Sequence, residues 1–220
     1  DEAVLAQPDK MDRQLTKEEQ NAAFRCVTDM LTARSLEASL SNALHGIGDY
    51  YKAARVYLLV LSEDRRTVTL TQEWTKQDRP SIQNMMSGVK IEEIPLLDRC
   101  MKKGLPIMAE SSMALSVEQE HQGKWHFLVC PLKKEEGLTG FLCVEDPREH
   151  LEETALLGTL IPYIQGEESR FRTMEEQAHI TGQDALTKLP NLNAYLDVIY
   201  SMDSDSYSSM GVVALDIPEF

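Results

Sequence analysis

With 220 residues, 42% hydrophobic and 26% charged, the chain has room for one large domain, or one ordinary domain with attachments, and the balance of a globular protein in water. Its 36 acidic against 22 basic residues give a formal net charge of -14, which repels phosphate backbones and anionic lipid and disfavours nucleic acid and membrane surfaces as partners. No run approaches the roughly 20 apolar residues that cross a bilayer, the acidic start is not a signal peptide, and a cytoplasmic location is expected.

In chain order, residues 1–15 are polar, contain Pro8 and read as a linker. Thr16, with Glu19 three residues on, is a capping box opening a helix whose face is Ala22, Ala23, Cys26, Val27, Met30 and Leu31. A second helix starts near Ser35, turns Leu36, Leu40, Ala43, Leu44 and Ile47 inward, and is expected to end near Gly46 or Gly48. Arg55 to Leu61 and Thr67 to Trp74 form a hairpin across the polar turn Ser62 to Arg66. Ser81 to Lys90 reads as an exposed loop carrying Met85, Met86 and Gly88. Pro95 opens a short helix closed by Gly104, Leu105 to Met108 is a short strand, and Glu110 to Gln122 is polar and partly helical. Trp125 to Leu132 and Leu138 to Glu145 make a second hairpin through Lys133 to Gly137. An antiparallel sheet with helices to one side is the expected packing.

A long helix pattern follows from about Leu151. Leu160, Ile164, Phe171, Met174 and Ala178 recur at alternating four- and three-residue steps, with Glu167 in the one missing place and a kink expected near Pro162. Periodicity leaves two readings open: a seam that pairs with another helix, or an ordinary amphipathic helix on its own domain. Next comes a junction. Asp184 can accept backbone N–H groups in a turn, Pro190 cannot continue a helix, and Asn191 can cap one containing Ala194, Tyr195, Val198 and Ile199. Gly211 to Ile217 then reads as a buried strand ending on a carboxylate, Asp216.

Little in this pattern points to catalysis. Cys26, Cys100, Cys130 and Cys143 lie far apart, without metal-site spacing, and are expected as small buried hydrophobes rather than disulfide or metal partners. The five histidines share no ligand spacing, and the first 180 residues hold no nucleophile elbow or phosphate-cradling glycine loop, so no catalytic residue is assigned. Trp74, Trp125, His126 and the Met85–Met86 pair could line a pocket between sheet and loops, although such residues are more often core.

Two resemblances organise these elements. Val129-Cys130-Pro131-Leu132, Gly140-Phe141-Leu142-Cys143-Val144-Glu145-Asp146-Pro147 and Gly104-Leu105-Pro106-Ile107 resemble GAF domains over roughly residues 20–165. Asp184-Ala185-Leu186-Thr187-Lys188-Leu189-Pro190-Asn191 and Asp216-Ile217-Pro218-Glu219-Phe220 resemble the opening of GGDEF domains, the catalytic domains of diguanylate cyclases. Leu192 and Pro218 depart from that pattern, and the Gly-Gly-(Asp/Glu)-Glu-Phe signature does not occur before the last residue, Phe220.

The resemblances imply an α+β fold: a GAF-like antiparallel sheet flanked by helices, a long linking helix, and the truncated start of an α/β GGDEF domain. The implied division is a linker (1–15), a GAF-like sensor (16–165), a coiled-coil signalling helix (166–183) and the first part of a GGDEF domain (184–220). They further imply the regulatory region of a diguanylate cyclase that joins two GTP into cyclic di-GMP and works as a homodimer through the linking helix. The GAF ligand, if there is one, is unknown. Mg²⁺ would be held by the Asp216 carboxylate and the Ile217 carbonyl, while these 220 residues alone are expected to be inactive. The alternatives are a ligand-free GAF dimerisation scaffold and a sensor joined to a degenerate, non-catalytic GGDEF domain.

Overall fold

The structure, a computed structural model, describes residues 3–4, 13–76, 79–111, 125–135, 137–184 and 186–201. It divides into two units, Asp1–Ser169 and Arg170–Phe220. In the first, the elements are β1 (Ala3–Val4), α1 (Lys17–Leu31), α2 (Leu36–Tyr51), β2 (Arg55–Leu61), β3 (Thr67–Thr75), β4 (Val89–Lys90), α3 (Pro95–Lys103), β5 (Ile107–Ser111), β6 (Trp125–Lys134), β7 (Gly137–Glu145) and the start of α4 (Ala155–Thr181). The strands form one antiparallel sheet in the order β1-β5-β6-β7-β2-β3-β4.

β2, β6 and β7 are apolar at nearly every position because both faces of the sheet are covered. Val56, Leu58, Leu128, Cys130, Leu142 and Val144 point to one face, where α1, α2 and α4 pack. Tyr57, Leu59, Phe127, Val129, Phe141 and Cys143 point to the other, covered by α3 and by Ile82, Met86, Ile91 and Ile94. The helices are therefore not confined to one side: Leu96, Leu97 and Cys100 bring α3 onto the second face. The expected exposed loop at Ser81 to Lys90 is exposed at most positions, Met85 included, but it turns Ile82 and Met86 into the core at 0% and 3% exposure.

The helix starts obey their sequence signals. Thr16 and Glu19 form the reciprocal capping box, and the Ser35 hydroxyl accepts from the Ala38 N–H. Glu19 does more than cap, since its buried carboxylate also takes two hydrogen bonds from Arg13 at 2.7 and 2.8 Å. The expected stop of α2 is wrong. The helix runs through Gly46 and Gly48 to Tyr51 and closes on Lys52 in the left-handed region. Gly48 is there for contact rather than termination, because a Cβ on it would lie 2.1 Å from the Trp74 ring. Gly140 has a similar reason, its would-be Cβ standing 2.1 Å from the Leu59 carbonyl oxygen where β7 meets β2. Leu31, expected inward, is 54% exposed. Within the expected N-terminal linker, Ala3–Val4 pairs with Ala109 and Glu110 on the edge of the sheet.

α4 begins at Ala155, four residues later than expected, after turns in which Asp146 and His150 take positive φ. It is helical through Pro162. Leu156, Leu157, Leu160, Ile161 and Ile164 are all at 7% exposure or less within the first-face core. Burying five such side chains contributes roughly 8–15 kcal/mol as an upper figure, far more than a short helix–helix seam needs to lose for its residues to stay at home. The first seam positions, Leu160 and Ile164, thus belong to this unit's own core. Glu167 is buried too, accepting a hydrogen bond from the Ser39 hydroxyl of α2. Phe171 and Met174, in the second unit, are half-buried; the Ala178 side chain lies outside the described residues.

The second unit holds the last turns of α4, a turn, and α5 (Leu192–Ser201). Asp184 Oδ1 accepts from the Leu186 N–H, the Thr187 N–H and the Thr187 hydroxyl, and these donors hold its carboxyl below the usual range. Asn191 caps α5 through the Ala194 N–H at 3.1 Å. Both roles are those expected from the sequence.

Candidate functional site

The densest polar chemistry of the first unit lies on the second face, where β2 begins and β3 and β7 end. Alternation puts Arg55 on the same face as Tyr57, and the register sets Arg55 opposite Glu145 and Tyr57 opposite both Glu73 and Cys143. Arg55 Nε lies 2.8 Å from Glu73 Oε1, and Nη1 lies 3.1 Å from Glu145 Oε2; the three side chains are 2%, 7% and 1% exposed. Nη2 donates to the Pro80 carbonyl at 2.8 Å. Glu73 also accepts from the Ser81 hydroxyl and the Ile82 N–H, so one buried triad anchors the segment that closes this face.

A charge cannot be held in such a place alone. Burial raises the Glu145 carboxyl above its usual value, and the Arg55 charge and hydrogen bond pull it back only in part. Beside the triad, the Tyr57 hydroxyl is wholly enclosed next to the Cys143 thiol, without a hydrogen bond of normal geometry. Burial pushes both groups well up; the charge of Cys143 adds to the rise of Tyr57, and the charges of Cys100 and Cys130 add to that of Cys143. Over the outer end of the face the Arg79 guanidinium stands 4.8 Å from the Trp125 ring, which is 4% exposed.

The arrangement holds this face closed, its charged groups engaged with one another and with the 80–82 segment. Its thiol and phenol stay protonated near neutral pH, so neither is a ready nucleophile. Among the described residues no cluster of three or more His, Cys, Asp or Glu has metal-site geometry.

The residues singled out from sequence are dispersed. Trp125 and Met86 meet in the second-face core, but Trp74 packs on the first face against Gly48 and His45. Met85 is 44% exposed. His126 contributes its carbonyl, which accepts the Asp146 N–H at 2.7 Å. The proposed metal ligands, Asp216 and Ile217, lie outside the described residues. All four cysteines are free and buried. Sequence reasoning missed the triad altogether: Arg55 opens an apolar strand, Glu145 ends another, and a charge at a strand end reads as solvated until the register brings the two together.

A seven-stranded antiparallel sheet with α1, α2 and α4 on one face and α3 on the other can be set against known structures. The GAF domain of an Acinetobacter phosphoenolpyruvate-protein phosphotransferase superposes with a TM-score of 0.53, covering 74% of this chain and 99% of that one at 16% identity. The fold is that of a GAF domain. A GAF domain from A. aeolicus in an inactive state matches at 0.50, covering 72% of this chain and 97% of that one, with 13% identity. The free methionine-R-sulfoxide reductase of Neisseria meningitidis, solved with its substrate, also matches at 0.50, covering 73% and 95% with 13% identity. No family model matches the chain, and no curated protein does. At these identities the likeness fixes the GAF fold and not the chemistry done on it. Among the described residues no helix is long and apolar enough to cross a membrane.

Proposed function

We propose that this chain is the regulatory sensor region of a diguanylate cyclase, in which the GAF unit sets the activity of a following GGDEF domain through α4. The observation that carries the proposal is that α4 serves two units. Its first three turns are core of the GAF unit, and its last turns lead within the second unit to the Asp184 turn and the Asn191 cap. These are the positions on which the GGDEF resemblance rests. Leu160 and Ile164 are part of the GAF core, so a rearrangement that reaches them is passed to the helix. Homodimerisation, GTP, and Mg²⁺ on Asp216 and Ile217 belong to this reading; they make a cyclase whose two nucleotide sites meet only when the helices are in phase.

The input remains to be identified, and a ligand-free scaffold is the second reading. Tyr57, Phe127 and Phe141 fill the second face at 1% exposure or less, which favours a face packed by its own side chains. The test is cyclic di-GMP formation from GTP by the product of the complete reading frame that carries these residues. Synthesis is expected there, and none from the 220 residues alone, since they lack the signature. Absence of product from the complete protein with Mg²⁺ present removes the cyclase reading and leaves the scaffold.

A further inference from the structure

In a chain with 36 acidic and 22 basic residues, a place where cations outnumber acids needs a cause. One exists where α2 ends, β2 begins, and β3 and β7 finish. There a cleft of about 130 Å³ is lined, among the described residues, by Lys52, Lys76, Arg79 and Arg148, with Asp146 as the one carboxylate.

These residues come from three segments of the chain, the end of α2, the residues that follow β3 and the turn after β7. Lys52 closes α2 at φ 48. Lys76, the residue after β3, donates its N–H to the Ala54 carbonyl at 3.0 Å. Arg148 donates its N–H to the Tyr51 carbonyl at 2.9 Å, and Asp146 donates its own to His126. Arg79 also covers Trp125. The Asp146 carboxylate is 4% exposed and is already engaged by the Arg148 guanidinium at 2.7 Å. Among the described residues neither Lys52 nor Lys76 makes an ion pair. The C-terminus of α2 favours a cation in the position of Lys52, through a partial charge of about -0.5. That effect fades within a turn and does not account for Lys76, Arg79 and Arg148 gathering on the same space.

We infer that this cleft is a binding site for a compact, doubly charged oxyanion of the phosphate class. Its volume of about 130 Å³ is room enough for a single tetrahedral anion. Lysines supply point charges and arginine a planar fork, the donor set that suits phosphate oxygens. A bound anion would tie together the end of α2, the end of β3 and the 146–148 segment that leads to α4, adding to the main-chain hydrogen bonds that join them. The inference does not rest on the cyclase reading, and its test needs no turnover.

The intact 220-residue chain is titrated by calorimetry, and its melting temperature followed, with sodium phosphate against sodium chloride at matched ionic strength. Sodium acetate and glycerol phosphate serve as further arms. Saturable phosphate binding with a matching rise in melting temperature is expected. Losing one charge-assisted contact should weaken it about tenfold or more in K76Q, and again in K52Q. Both lysines are exposed, so the variants should melt like the parent without phosphate. Glycerol phosphate binding as tightly would make the ligand the terminal phosphate of a larger metabolite, and its exclusion would make it the free anion; both support the site. A phosphate effect no larger than that of chloride, one equalled by acetate, or one unchanged in both variants overturns it.

Discussion

Replacing Arg55 with methionine tests the buried triad. The substitution keeps the volume of the stem and removes the charge that faces Glu73 at 2.8 Å and Glu145 at 3.1 Å, together with the bond to the Pro80 carbonyl. Removing one partner of a buried pair costs about 3–5 kcal/mol, because the remaining carboxylates keep their desolvation penalty and lose its compensation. For a unit of this size that is a fall in melting temperature of roughly 6–20 °C. The pH dependence has a definite sign. Glu145 is already raised above its usual 4.5 by burial, and without Arg55 the larger part of the opposing pull is gone, Arg79 alone remaining, so it rises further. A carboxyl with a raised folded pKa favours the fold below its unfolded value and costs stability as pH climbs through the folded one. Urea unfolding should therefore show the largest deficit at pH 8 and a smaller one near pH 5. Adding Glu145→Gln should recover part of the loss at pH 8. A deficit below about 1 kcal/mol, the scale of an exposed pair, an equal deficit at both pH values, or a further loss on adding Glu145→Gln would refute the reasoning.

Two glycines in helices should respond in opposite directions. Gly48→Ala places a methyl carbon 2.1 Å from the Trp74 ring, an overpacking cost of about 1–3 kcal/mol that outweighs the gain in helix propensity of about 1 kcal/mol, and tryptophan fluorescence should shift with it. Gly166→Ala meets nothing within 4 Å and should gain about 0.5–1 kcal/mol in urea unfolding. The thiols give a third check: burial pushes Cys26 and Cys100 up to about 12, and Cys130 and Cys143 still further. At pH 8 a disulfide reagent should leave all four unmodified in the folded protein and take all four in denaturant; rapid reaction of Cys143 in the native state would contradict its burial.

Local signals were readable in the chain, and pairings were not. Thr16 with Glu19, Ser35, Pro95, Asp184 and Asn191 announce turns and caps because each acts on neighbours within about four residues. Gly46 and Gly48 misled because a glycine that ends a helix and one that admits a partner look alike; only Cys26 and Trp74, brought from elsewhere, tell them apart. Trp74 and Trp125 looked like co-lining residues, yet the sheet register puts them on opposite faces. The same register makes a triad of Arg55, Glu73 and Glu145, which are separated by up to 90 residues. On α4, a single periodicity continues across two environments, so Leu160 and Ile164 become core while Phe171 and Met174 do not. Glu167 was the one irregular position in that pattern, and its bond to Ser39 gives the reason.

Coupling through α4 is tested most directly by changing its helical phase in the product of the complete reading frame and measuring cyclic di-GMP formation. One residue inserted after Ser169 turns everything beyond by about 100°, whereas seven residues make two turns and return the phase to within about 20°. If the helix carries the control, the one-residue insertion should change the rate about tenfold or more, in either direction, and the seven-residue insertion should stay within about threefold of the parent. Equal rates from all three proteins would contradict it.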